Sequence, residues 1–151
     1  MTTKAFEPVD LIIQSWGELD RNGGRDLADY FTEAAVWDLG TTRFSSRREI
    51  RDAMTARAAR GHRTTRHLVS NIEVLTRSDD RAVILSVLQL YGNDGEPPLA
   101  VPTPTAIGDS EDHLVRGDSG EWLIASRVFH AVFVDPDRFA PFAAPDGHRH
   151  G

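Results

Sequence analysis

The sequence predicts an α+β fold: three N-terminal helices packed on one face of a curved antiparallel sheet, forming a cone-shaped shell around an apolar pocket. Three observations predict it. Apolar residues recur at helical spacing only in the first sixty residues. After Gly61 the period shortens to that of strands. Turn residues then separate four strand-like runs with no helical run between them. Helices segregated from strands in this way exclude a doubly wound parallel sheet. A chain of 151 residues with 40% hydrophobic content has material for one core and one domain.

The elements follow in order. From Phe6 to Asp20, the residues Val9, Ile12, Ile13, Trp16 and Leu19 form one apolar stripe, and Pro8 suits a first helical turn. Arg21 to Arg25, with Gly23 and Gly24, stops that helix. Asp26 is placed to cap a second, short helix carrying Leu27, Tyr30 and Phe31. Ala34 to Leu39 reads as a strand, and Gly40 to Phe44 as a turn or hairpin. Ser46 and Glu49 have the spacing of a capping box. The third helix that they open carries Ile50, Ala53, Met54 and Ala58 on one face and ends at Gly61. Thr64 to Thr76 and Arg81 to Tyr91 form a hairpin turned at Ser78-Asp79-Asp80. Four prolines make Gly92 to Pro104 a long loop. Two further strands follow, Ala106 to Arg116 and Glu121 to Val134, joined at Asp118-Ser119-Gly120. The domain thus spans residues 1–134, and residues 135–151 form an irregular, proline-containing tail.

Composition removes several classes of function. There is no cysteine, which excludes disulfides, thiolate metal sites and cysteine nucleophiles. The N-terminus has no apolar signal core, and no apolar run approaches the length of a membrane helix. These features fit a cytoplasmic protein. A net charge of −6 argues against nucleic acid as a general partner. Sixteen of the seventeen basic residues are arginine, a bias typical of a GC-rich source and, with it, of a bacterial chain.

Two residues break their local patterns. Asp20 continues the stripe Val9–Ile13–Trp16 and so turns a carboxylate toward the apolar side, at the helix end that disfavours negative charge. The alternative is a solvated aspartate beside Arg21. His67 lies on the first long strand, where alternation groups it with Thr65, Val69 and Asn71. Histidine titrates near neutrality and suits general-base work, although a lone histidine is more often structural. If Asp20 reaches His67, the carboxylate accepts the Nδ1 proton and fixes the tautomer. Nε2 is then free to abstract a proton from carbon or oxygen.

Other chemistry has weaker support. The six histidines are scattered, with no zinc or calcium spacing, so no metal is expected. His148 and His150 suit only adventitious metal binding. Asp118-Ser119-Gly120 is a turn rather than a nucleophile elbow, and no glycine pattern makes a phosphate loop. From Arg43 to Arg66 eight arginines face only Glu49 and Asp52, giving this segment +6 against −12 for the remainder. A solvated helix face accounts for most of this. The sharper reading is a docking patch for an acidic partner, such as a carrier protein or a thioester nucleotide.

Certain stretches resemble the SnoaL-like family of the nuclear-transport-factor-2-like superfamily. They are Trp16 to Asp26, Phe31 to Gly40, Arg66 to Asn71 and Gly120 to Arg127. The resemblance runs from about Val9 to Phe133 and specifies fold better than reaction. Scytalone dehydratase, bile-acid 7α-dehydratase and lindane dehydrochlorinase share this fold and use an aspartate and a histidine at the positions of Asp20 and His67. The resemblance therefore implies a cofactor-independent lyase or isomerase of dehydratase type, acting on a hydrophobic, polyketide-like or steroid-like small molecule. It also implies a homodimer formed through the outer sheet face. Leu19 stands where scytalone dehydratase has a tyrosine, and Ser86 near a second histidine, so the electrophile is unassigned; Tyr30, Tyr91 and Ser86 are candidates. Trp16, Trp37, Val69, Asn71 and Arg127 complete the candidate substrate contacts. Arg127 has a structural alternative in a pair with Asp112. The missing groups also fit another class, a non-catalytic binding or accessory module. A hydrolase is a third reading, and it would incorporate solvent oxygen.

Overall fold

The computed structural model describes residues 7–139. Two α-helices, one short 3-10 helix and six strands make up this part of the chain. Helix α1 (Pro8–Asn22) buries Leu11, Ile12, Ser15, Trp16 and Leu19 along one face. Each large apolar side chain on such a stripe contributes about 1.5–3 kcal/mol on burial. The helix ends at Gly23, whose φ of 66° requires the left-handed region that glycine tolerates, and the Gly24 N–H donates to the Glu18 carbonyl.

The expected second helix is a single 3-10 turn, Leu27–Tyr30, with no side-chain cap from Asp26. Strand β1 (Phe31–Asp38) therefore starts three residues earlier than the sequence pattern indicates. Phe31 and Ala35 are drawn into the core, and the chain has no length left for another α-helical turn. Strand β2 (Arg43–Phe44) folds back on β1 as a hairpin. Helix α2 (Arg47–Ala59) opens with Ser46 Oγ accepting the Glu49 N–H at 3.1 Å. Glu49 returns its carboxylate to the Ser45 N–H rather than to that of Ser46. Ile50 and Met54 are the buried residues of α2.

Strands β3 (Arg63–Arg77), β4 (Arg81–Asp94), β5 (Ala106–Arg116) and β6 (Trp122–Val134) form an antiparallel meander. The full order is β2-β1-β6-β5-β4-β3. Here the expected antiparallel sheet is corrected: β1 runs parallel to β6, so the sheet is mixed. Turn signals report only strands adjacent in sequence, and β1 and β6 stand at opposite ends of the domain. The sheet is curved and unclosed, with β2 and β3 at its edges.

One close approach pins the β5–β6 pairing. A Cβ on Gly108 would lie 2.2 Å from the His130 carbonyl oxygen. The register shifts at the same place, between Ile107 and Gly108. The core lies between the helices and the inner sheet face, and includes Ile12, Trp16, Trp37, Ile84 and Ile124. Among the described residues no helix is long and apolar enough to cross a membrane. His148, His150 and most of the tail lie outside the described residues.

Candidate functional site

Asp20 stands in the last turn of α1, and His67 sits five residues into β3. Packing of α1 against β3 brings them together, with their side chains 4% and 7% exposed. The His67 Nδ1 lies 2.6 Å from Asp20 Oδ1. The other carboxylate oxygen, Oδ2, accepts the His67 backbone N–H at 2.7 Å, and Thr65 Oγ1 donates to Oδ1 at 2.8 Å. A carboxylate held by three donors is fixed in place, and an ionised one can only accept, so the ring proton belongs on Nδ1.

The electrostatics agree with that tautomer. Burial is the largest single influence on Asp20 and opposes its charge. The His67 ring, the His67 backbone and the Thr65 hydroxyl together outweigh burial and hold the carboxyl below its usual range. For His67, burial is again largest. With Arg57 and Arg127 nearby it outweighs Asp20 and keeps the imidazole below its ordinary value of 6.5. The ring is therefore neutral near pH 7, with a lone pair on Nε2.

The imidazole stacks on Trp16, with ring centroids 4.6 Å apart and planes 15° from parallel. Above the same indole, the Arg127 guanidinium carbon lies 4.1 Å from the ring centroid. Arg127 is wholly buried on β6. Its Nε donates to Asp112 Oδ1 at 2.6 Å and its Nη2 to Ser15 Oγ at 2.8 Å. Its third nitrogen, Nη1, has no hydrogen-bond partner among the described residues. A buried donor without a partner costs about 1–3 kcal/mol, and more when charged.

His67, Trp16, Trp37 and Arg127 share one partly open cavity of about 50 Å³. Its remaining wall is mainly apolar and includes Leu88, Leu90, Phe129 and Phe139. Phe139 packs on Phe129 at 6.0 Å, so the start of the tail closes one side. Sequence reasoning missed Phe139, Leu88 and Leu90, because an apolar residue carries no sign of whether it faces a core or a cavity. It also missed Thr65, whose alternation with His67 was the available signal.

Five expected contacts lie elsewhere. Asn71 is exposed with φ 50°, at a bulge where the β3–β4 register shifts between Ser70 and Glu73. That bulge reverses the alternation, so Ile72 rather than Asn71 packs against the core. Val69 packs against the core but does not line the cavity. Ser86 is buried, and its Oγ has no partner among the described residues, yet it too is absent from the cavity wall. Tyr91 faces an outer hollow with Thr64, Leu99 and Pro102. Tyr30 stands near Glu18 and Asp26; burial first, and then those two charges, push its hydroxyl pKa up. Among the described residues no group of three or more acidic or histidine side chains is placed to hold a metal ion.

Comparison with known proteins adds the family context. The sequence profile of the SnoaL-like domain matches residues 13–128. No curated protein sequence matches the chain. Among solved structures, one similar protein is provisionally designated a scytalone dehydratase, from Novosphingobium aromaticivorans. It is 21% identical, with 82% of this chain and 80% of that one covered and a TM-score of 0.68. ActVI-ORFA from Streptomyces coelicolor is 18% identical, with coverages of 82% and 93% and a TM-score of 0.67. A Nostoc punctiforme protein of unknown function with a cystatin-like fold is 17% identical, with coverages of 87% and 96% and a TM-score of 0.67. At these identities the likeness is one of fold.

Proposed function

The chain belongs to the SnoaL-like domain family, and from that premise we propose that it is a cofactor-independent lyase or isomerase in which His67 abstracts a proton from a hydrophobic small molecule. The observation that carries this reading is the 2.6 Å contact from His67 Nδ1 to Asp20 Oδ1 beside an apolar cavity. In the proposed step, Nε2 takes a proton from carbon next to a carbonyl. The C–H electron pair becomes a C=C bond, and the carbonyl electrons move onto oxygen. Asp20 stabilises the imidazolium that forms. The free Arg127 Nη1–H supplies a positive donor for the enolate oxygen, which fills the role left open by the absent tyrosine and histidine. Departure of a β-hydroxyl that takes up the proton completes an elimination. Return of the proton to a different carbon completes an isomerisation.

A hydrogen-exchange assay tests the reading without a known substrate. A panel of aryl and alicyclic ketones in D2O, followed by NMR, reports enzyme-dependent exchange at the α-carbon. We expect His67→Ala to lower that rate by about 10²–10⁴-fold, the range of general-base contributions. Asp20→Asn should lower it less while leaving the fold intact. Exchange undiminished in His67→Ala would remove His67 as the base.

The second reading is a non-catalytic binding or accessory module, favoured by Leu19 and Ser86 standing where scytalone dehydratase has a tyrosine and a second histidine. A cavity of about 50 Å³ is well below the roughly 300–1,000 Å³ of ordinary small-molecule sites. Under the catalytic reading the cavity must open, and Phe139 at the start of the tail is the wall that can withdraw. Phe139→Ala should then broaden the range of ketones exchanged. A module that only binds would show ligand affinity with no exchange in any variant.

A further inference from the structure

A second hollow, with Asp20 but not His67 in its lining, lies between the C-terminal end of α1, the end of α2 and the start of β3. It holds about 620 Å³ and is open to solvent. Five arginines line it: Arg21 and Arg25 at and after the end of α1, Arg57 on α2, and Arg63 and Arg66 on β3. Leu19, Ala58 and Pro97 give it a small apolar floor. The groove gathers part of the arginine-rich segment seen in the sequence with two arginines from outside it.

The charges are not balanced from within. Asp20 is the one carboxylate in the lining, and both of its oxygens are engaged by Thr65 and His67. Arg63 pairs with the exposed Asp94 at 3.3 Å. Among the described residues, Arg21, Arg25, Arg57 and Arg66 form no ion pair with a carboxylate side chain. Arg57 and Arg66 each reach a backbone carbonyl near the end of α1, of Gly23 and Asp20, at a long 3.4 Å. Arg66 also donates to its neighbour's carbonyl, Thr65 O, at 2.7 Å. A helix C-terminus offers only about half a negative charge. An excess of at least two positive charges therefore remains, on guanidinium groups held close together. At Arg57 burial is the largest influence lowering the pKa, and the Arg63 and Arg60 charges add to it against the pull of Asp20.

We propose that this groove binds a phosphorylated small molecule carrying at least two negative charges. Planar guanidinium forks match phosphate oxygens in pairs, and several forks around one hollow suit two linked phosphates better than one. The volume lies within the range of small-molecule sites, and exceeds what a lone phosphate fills. The apolar floor accepts the organic part. The inference rests on the arginines and stands whether or not His67 is a base.

Calorimetric titration with ADP and with inorganic pyrophosphate tests it, at low and at raised salt. The wild type should bind both saturably, and more weakly as salt rises. Arg57→Gln/Arg63→Gln should bind about tenfold or more weakly. The control Arg43→Gln/Arg48→Gln removes the same charge from exposed positions outside the groove and should bind as the wild type does. Binding is read by calorimetry and α-carbon exchange by NMR, so this site and the proposed chemistry fail separately. The groove assignment is overturned by equal weakening in the two double variants. It is likewise overturned if the wild type binds neither probe, or binds a hexaglutamate peptide more tightly than ADP, which would make the occupant an acidic protein.

Discussion

At His67 two influences oppose each other, and their order fixes the pH behaviour of the site. Burial disfavours the imidazolium, the Asp20 carboxylate favours it, and burial prevails. The folded pKa is thus below 6.5, and the unfolded chain binds the proton more readily. The stabilising contribution is complete above pH 6.5 and is lost as the pH falls toward the folded value. Asp20 acts in the same sense lower down, because its folded pKa is also depressed: its contribution is lost as the pH falls below 3.8. The His67 ring resonances in an NMR titration should therefore show a midpoint below 6.5. A midpoint above 6.5 would mean that the carboxylate governs and that the resting base is protonated at neutral pH. Asp20→Asn removes the opposing influence, so the His67 midpoint should fall further in that variant. Positions 20 and 67 were legible in the sequence because each placed a polar group on an apolar stripe or strand face. The hydrogen bond between them was not, since it spans 47 residues and depends on how α1 lies across β3.

Elements with strong periodicity and clear punctuation were read closely, and those set by competition were not. The expected range of β5 agrees with Ala106–Arg116, because a proline-rich loop and a glycine turn bound it. The 3-10 turn Leu27–Tyr30 resembles a helix in the sequence because Leu27, Ala28 and Tyr30 fit either period. The bulge at Asn71 defeated the alternation rule because one extra residue moves every later side chain to the other face. That bulge supports a prediction of its own. Asn71 occupies φ 50°, which asparagine and glycine tolerate and β-branched residues do not. Asn71→Val should cost about 1–2 kcal/mol, whereas Asn71→Gly should be close to neutral, both measured by urea denaturation. Equal stability of the two variants would mean that the bulge shifts without cost. A parallel expectation holds at α2, where Ser46→Ala removes the acceptor for the Glu49 N–H and should cost about 1 kcal/mol.

Across the whole molecule, one buried cation ties the helical layer to the sheet. Arg127 projects from β6, bonds Asp112 across the strand pair and reaches Ser15 on α1. All three side chains are buried, so the ion pair has no water to fall back on. The sequence allowed either a substrate contact or a pair with Asp112 for Arg127. The register Asp112↔Arg127 brings the two residues opposite each other in adjacent strands. The contact with Ser15, 112 positions away, could not be anticipated from any local pattern. The parallel seam between β1 and β6 was illegible for the same reason: it joins the two ends of the domain. Removing one partner of a buried pair strands the other charge. Asp112→Ala should therefore lower stability by about 3–5 kcal/mol, read from chemical denaturation. The double variant Asp112→Leu/Arg127→Met replaces the pair with apolar groups and should recover most of that loss. If Arg127 also serves the enolate, the recovered fold should still lack α-carbon exchange, because no donor would face the developing oxyanion. A double variant that is both stable and active would assign Arg127 to holding α1 against the sheet alone.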